Sequence, residues 1–151
     1  MSSERLMTSR FAMSQDAITG FGNLLGARLP SLGHKPGGHH TDPEAARSVG
    51  LRGPVAYSLH YYGHVSDIMT RAFGRRWVEG GEMSVAFIQP VCAGDEVIVS
   101  VDQRPLQKPA EDQGADRLVM QVDVCNQDGT LVAAGWASVS REAADLADSR
   151  G

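Results

Sequence analysis

After Gly74 the apolar side chains of this chain return at every second position, and that spacing limits what the second half can become. From Glu96 to Gln103, Val97, Val99 and Val101 fall on one side; from Leu118 to Cys125, Leu118, Met120, Val122 and Val124 do the same. A period of two is what a strand with one buried face requires. Ser84–Ile88, ended by Pro90, and Thr130–Ser140 read as two further strands. Between the last two strands lies Asn126-Gln127-Asp128-Gly129, a hairpin turn in which Gly129 takes positive φ. Strands joined so tightly pair antiparallel.

The first half carries the helical period. Ser14 is an N-cap, Asp16 sits in the first turn, and Ala17, Ile18, Phe21, Leu24 and Leu25 recur at helical spacing, which predicts a helix from Gln15 to Leu25 stopped by Gly26. The stretch from Gly26 to His40 is rich in Gly and Pro and reads as an irregular loop. Asp42-Pro43-Glu44 opens a short helix with a cap, a proline at the first helical position and an early carboxylate; Gly50 or Gly53 ends it. A longer helix runs from Ala56–Ser58 to Phe73. Tyr61, Tyr62, Val65, Ile68, Met69, Ala72 and Phe73 form a wide apolar stripe on it, with His60, His64, Asp67 and Arg71 opposite. Helices followed by consecutive antiparallel strands are the α+β pattern.

With 151 residues the chain suffices for one domain. The reading divides it into an N-terminal extension (1–13), the domain (14–140) and a C-terminal tail (141–151), with a mobile polar loop at 108–116. A net charge of −4 without any basic run argues against nucleic acid as a partner. Met1–Arg10 has no apolar core of a secretory signal, and no run of apolar residues is long enough to span a membrane. Cys92 and Cys125 are too few for a disulfide framework and read as buried free thiols. These features predict a cytoplasmic enzyme or binding domain.

Three segments, in order, resemble the MaoC-like hydratase/dehydratase family, which includes the (R)-specific enoyl-CoA hydratases. They are His40-Thr41-Asp42-Pro43-Glu44-Ala45-Ala46 with Gly53-Pro54-Val55-Ala56, then Phe87-Ile88-Gln89-Pro90-Val91 with Gly94-Asp95, and finally Asn126-Gln127-Asp128-Gly129 with Val132 and Gly135. The resemblance implies a hot-dog fold, a curved antiparallel sheet wrapped around a central helix, assembled as a homodimer. It implies a thioester substrate on coenzyme A or an acyl carrier protein, and no cofactor. It further implies an Asp–His pair acting on water and on the α-carbon proton, with a backbone N–H at the head of the central helix receiving the thioester oxygen.

His40 matches the family histidine, a general base whose ordinary pKa lies near neutrality; its plain alternative is a loop residue ahead of the short helix. The family aspartate falls on Ala27, or on Lys35 if the intervening residues are aligned without an insertion, and neither is a carboxylate. His34 and His39 are candidate replacements, or exposed loop residues. Asp42 reads first as a helix cap and second as an active-site acid. Before the central helix the family's His-Gly is Tyr57-Ser58 here. Tyr57 is a candidate phenolic donor to substrate, or simply packs at the helix start; Ser58 is a candidate for shaping the oxyanion site, or only an N-cap, and Ala56 is a further candidate for substrate binding. His60 and His64 stand at i and i+4 with Asp67 one turn on, a zinc-like spacing that reads more simply as a solvated or dimer-facing polar face. Arg75-Arg76-Trp77 reads as a surface turn, or as a contact for a coenzyme A phosphate.

The function so implied is hydration or dehydration of an enoyl or 3-hydroxyacyl thioester by an altered catalytic dyad. The alternatives are a repurposed cyclase or dehydratase of polyketide-type metabolism, and a non-catalytic acyl-binding or dimerisation domain.

Overall fold

Alternating valines place the sheet and the wide stripe of one helix places the core. The computed structural model describes residues 5–32, 37–103 and 116–141. In chain order the elements are β1 (Arg5–Ala12), α1 (Gln15–Arg28), a 3-10 turn (Pro30–Leu32), α2 (Pro43–Ser48), α3 (Ser58–Phe73), α4 (Arg75–Gly80), β2 (Glu82–Phe87), β3 (Glu96–Asp102), β4 (Arg117–Asn126) and β5 (Leu131–Ser140). The strands form one five-stranded sheet in the order β1-β3-β4-β5-β2, every neighbouring pair antiparallel. The α+β reading holds.

Packing follows the two periods. Val97, Val99 and Val101 of β3 and Met120, Val122 and Val124 of β4 are fully buried, as are Val65, Ile68 and Met69 of α3, and all belong to one core cluster. Ala72, placed in the stripe by spacing, is exposed. Gly129 turns the β4–β5 hairpin at φ 76°.

Four details differ from the sequence reading. A strand, β1, precedes α1 and pairs with β3 from Ala12↔Glu96 to Arg5↔Asp102. Its inward positions Met7, Ser9 and Phe11 include a serine, which breaks the alternation that a strand is read from. Helix α1 passes through Gly26 to Arg28, with the Leu29 N–H donating to Leu25 O; one glycine weakens a helix without ending it. The presumed turn at Arg75-Arg76-Trp77 is helix α4, which buries Trp77 with its indole N–H on Ser66 Oγ at 2.9 Å. Of the two free cysteines Cys92 is buried, whereas Cys125 is only half-buried. Of the loop read at 108–116 only Asp116 is described, its carbonyl accepting from Arg141 N–H at 2.7 Å; the rest of it and the tail beyond Arg141 lie outside the described residues. Among the described residues no helix is long and apolar enough to cross a membrane.

Strands β2 and β5 approach so closely that Val85 and Gly135 pair with no room between them. A methyl added at Gly135 would collide with Ser84 O and the Val85 Cα. Gly135→Ala is therefore expected to destabilise the fold by about 1–3 kcal/mol, read as a lower chemical or thermal unfolding midpoint. An unchanged midpoint would contradict the tight β2–β5 register.

Candidate functional site

The segment that enters α3 is held on three sides. Val55 N–H donates to His39 O at 3.0 Å, Ala56 N–H to Val91 O at 2.7 Å, and Ala93 N–H to Pro54 O at 2.8 Å; Val55 and Cys92 form a β-bridge. Behind this junction the buried Asp95 carboxylate accepts from Cys92 N–H at 2.8 Å and Gln127 Nε2 at 3.2 Å, and is paired with Arg52. Burial alone would raise this carboxyl, but the hydrogen bonds from Arg52, Cys92 N–H and Gln127 outweigh it and hold Asp95 below the usual carboxylate range.

His40 meets that junction twice. Its Nδ1 lies 2.6 Å from Val55 O. A carbonyl can only accept, so Nδ1 carries the hydrogen, and in the neutral ring the basic lone pair sits on Nε2. One face of the imidazole stacks on Tyr57, with centroids 3.8 Å apart and planes at 15°. Gln15, in the first turn of α1, donates from Nε2 to His40 O at 3.0 Å. His39 lies beside His40 with ring centroids 4.3 Å apart. The Tyr57 hydroxyl is pushed up by burial, so the phenol keeps its proton and remains a donor at neutral pH.

The other candidates divide between two places. Asp42 is the N-cap of α2, its Oδ1 accepting from Glu44 N–H at 2.8 Å and Ala45 N–H at 3.4 Å. Ala56 and Ser58 belong to a recess at the head of α3. With Val55, Tyr61, Phe87, Ile88, Gln89 and Pro90 they line an open recess of about 260 Å³. The Ala56 N–H is already used by Val91 O, leaving Ala56 as wall, while the Ser58 side chain is hydrogen-bonded to Tyr61. Ser58 is the first residue of α3, and its N-cap, Tyr57, makes no side-chain capping bond; first-turn N–H groups lack partners within a helix. Ala27 sits exposed in the last turn of α1. His34 and Lys35 lie outside the described residues.

His60 and His64 are not a solvated face. Phe21 of α1 stacks on His60 (4.7 Å, 2°) and Phe11 of β1 on His64 (3.6 Å, 17°). The sequence shows the two histidines but not their cover, because Phe11 belongs to the strand that periodicity misses. Among the described residues no group of three or more His, Cys, Asp or Glu could hold a metal ion. Arg76 lies over the Phe73 ring and donates to Ser140 O.

A family model described as MaoC like domain matches residues 39–117, more than half of the chain. The (R)-hydratase from A. caviae involved in PHA biosynthesis superposes with a TM-score of 0.62 at 21% identity, over 94% of this chain and 99% of that one. The R-hydratase PhaJ1 from Pseudomonas aeruginosa gives 0.65 at 19% identity, over 94% and 83%. The C-terminally truncated HadBC (3R-hydroxyacyl-ACP dehydratase) complex from Mycobacterium tuberculosis gives 0.57 at 20% identity, over 89% and 95%. The fold is thus the hot-dog fold of these proteins. No curated protein sequence matches the chain.

Burial, and then the charge of His64, lowers the His60 pKa; burial and Arg71 lower that of His64 against the opposing pull of Asp67. The unfolded chain therefore takes up protons near 6.5 that the folded one refuses. Stability from these rings is complete above that value and is lost as pH falls toward the lowered folded values. The thermal midpoint should drop on acidification from about pH 7.5 to about 5, and less steeply in a His60→Phe/His64→Phe variant that keeps the rings without the protons. Parallel slopes would contradict this.

Proposed function

The chain belongs to the MaoC-like domain family, and on that premise we propose that it hydrates an enoyl thioester, or dehydrates a 3-hydroxyacyl thioester, carried on coenzyme A or an acyl carrier protein. His40 is its acid/base and the family's aspartate is replaced. The observation that carries this reading is the bond from His40 Nδ1 to Val55 O, which presents Nε2 as the basic nitrogen of a ring already clamped on Tyr57.

In the hydration direction, Nε2 takes a proton from water as its oxygen adds to the β-carbon. The electron pair of the double bond moves toward the thioester carbonyl, whose oxygen gains negative charge. A backbone N–H at the head of α3 and the positive end of that helix stabilise the charge. The imidazolium then returns its proton to the α-carbon, so that one water is added and the base is regenerated. Both proton transfers fall to His40, with the Tyr57 phenol as a hydrogen-bond donor. Asp42 is occupied as the cap of α2, and His39 and His34 are the candidates for the partner that the aspartate would have been.

The open recess at the head of α3 suits an enzyme completed by a second copy. Strand β2 lies at the edge of the sheet with Phe87 and Ile88 exposed at its end, a surface that an unpaired edge strand leaves for association. We assign it to a homodimer acting in the cytoplasm. The missing carboxylate favours two other readings: a hot-dog domain repurposed for polyketide-type dehydration or cyclisation, and one that binds an acyl group or only dimerises, without chemistry.

Crotonyl-CoA hydration, followed by loss of the enoyl absorbance, tests the proposal. A positioned acid/base contributes about 10²–10⁴-fold, so the intact chain should turn over slowly and His40→Ala should remove what activity there is. Activity that survives His40→Ala would sink the assignment. Turnover as fast as an (R)-hydratase run alongside would sink the altered dyad.

A further inference from the structure

His40 sits in a segment without regular secondary structure, yet its ring is fixed. Tyr57, against which it stacks, is the N-cap residue of α3. The Tyr57 ring lies in turn against Phe21, at 5.9 Å between centroids and 47° between planes. Phe21 also stacks on His60 at 4.7 Å and 2°. Residues 57 and 60 are one helical turn apart on the same face, so the Phe21 ring of α1 is set against two rings of the same turn of α3. The contacts continue from His60 to His64 at 5.7 Å, and from His64 to Phe11 of β1 at 3.6 Å. A ladder of rings thus runs from strand β1 across α3 and α1 to the candidate base. Most of its spacings fall in the range where aromatic pairs attract. The same α1 donates Gln15 to the His40 carbonyl, so the seat of α1 on α3 sets both the backbone and the ring of His40.

We propose that Phe21 and His60 are positioning residues for His40, acting through Tyr57, and that they hold it only while His60 is neutral. This rests on the reading of His40 as the acid/base. Within the ladder, His60 Nδ1 is buried and has no hydrogen-bond partner among the described residues. A proton there would place an unpaired charged N–H in a stack of rings, a costly arrangement. The groups facing His60 are the Phe21 ring from α1, the Phe11 ring from β1 at 6.3 Å, and His64 on α3 itself, with the Asp67–Arg71 pair one turn further bearing on His64. Burial and His64 both lower the His60 pKa, so the neutral form prevails at neutral pH.

The test uses the full chain with ¹³C-labelled histidine, the His40 Cε1–H signal being assigned by its loss in His40→Gln. Phe21→Ala and His60→Ala should move that signal and its titration midpoint. His60→Phe should leave the signal in place at neutral pH and remove the second inflection that His60 imposes on it under acid. Where turnover is measurable, the alanine variants should lower kcat roughly tenfold with KM nearly unchanged, as a misplaced group does, and His60→Phe should restore it. If an alanine variant does not fold, Phe21→Leu keeps the volume without the ring and gives the same readout. A His40 signal and midpoint unchanged in folded Phe21→Ala, Phe21→Leu and His60→Ala would overturn the proposal. A chain without hydratase turnover would leave the spectroscopic result standing, so failure of the ladder and failure of the proposed reaction are told apart.

Discussion

The buried carboxylate of Asp95 is the joint on which the site depends. It gathers Arg52 from the loop before α3, the Cys92 N–H from the β2–β3 connection and Gln127 from the β4–β5 turn. A buried charge is tolerable only when its oxygens are satisfied, and these three donors belong to three different parts of the chain. Satisfying them fixes residues 52–56 beside residues 91–95. That in turn fixes Val55 O, to which His40 is bonded, and the direction in which α3 begins. The sheet supplies a platform, but this joint decides where the chemistry-bearing residues stand on it.

From the joint outward, order passes through rings rather than through a conventional active-site hydrogen-bond chain. The His40 imidazole is bonded at Nδ1 and stacked on Tyr57, and the aromatic contacts behind it reach core elements. On the proposed reading the family's aspartate position falls on Ala27, which lies in the last turn of α1, or on Lys35.

Legibility of the fold in the sequence tracks how many positions voted for each element. Val97, Val99 and Val101 recur at alternate positions of β3, Leu118, Met120, Val122 and Val124 at alternate positions of β4, and α3 shows its stripe over four turns, so all three were readable within a residue or two. Strand β1 was not, because Ser9 occupies an inward position and its partner β3 is some ninety residues away, where no local pattern reaches. Helix α4 was missed because it is six residues long and Trp77 is its single buried residue. The cap at Asp42 was readable from chemistry alone, since Asp-Pro-Glu states its own geometry.

The site was half legible. His40 stood out by its motif, and Tyr57 and Ser58 by their place before α3, but neither spacing nor motif shows that Tyr57 turns toward His40 while Ala56 and Ser58 line a separate recess. Successive residues of an extended segment point to opposite sides, so the thioester of the proposed reaction would have to reach around the head of α3 to touch both. A crystal structure of the chain with a saturated acyl-CoA tests this most directly. The account predicts the thioester oxygen at the first-turn N–H groups of α3 and the α-carbon within reach of His40 Nε2; acyl density that fills the recess with its reactive carbons turned away from His40, or lies elsewhere on the protein, would contradict it.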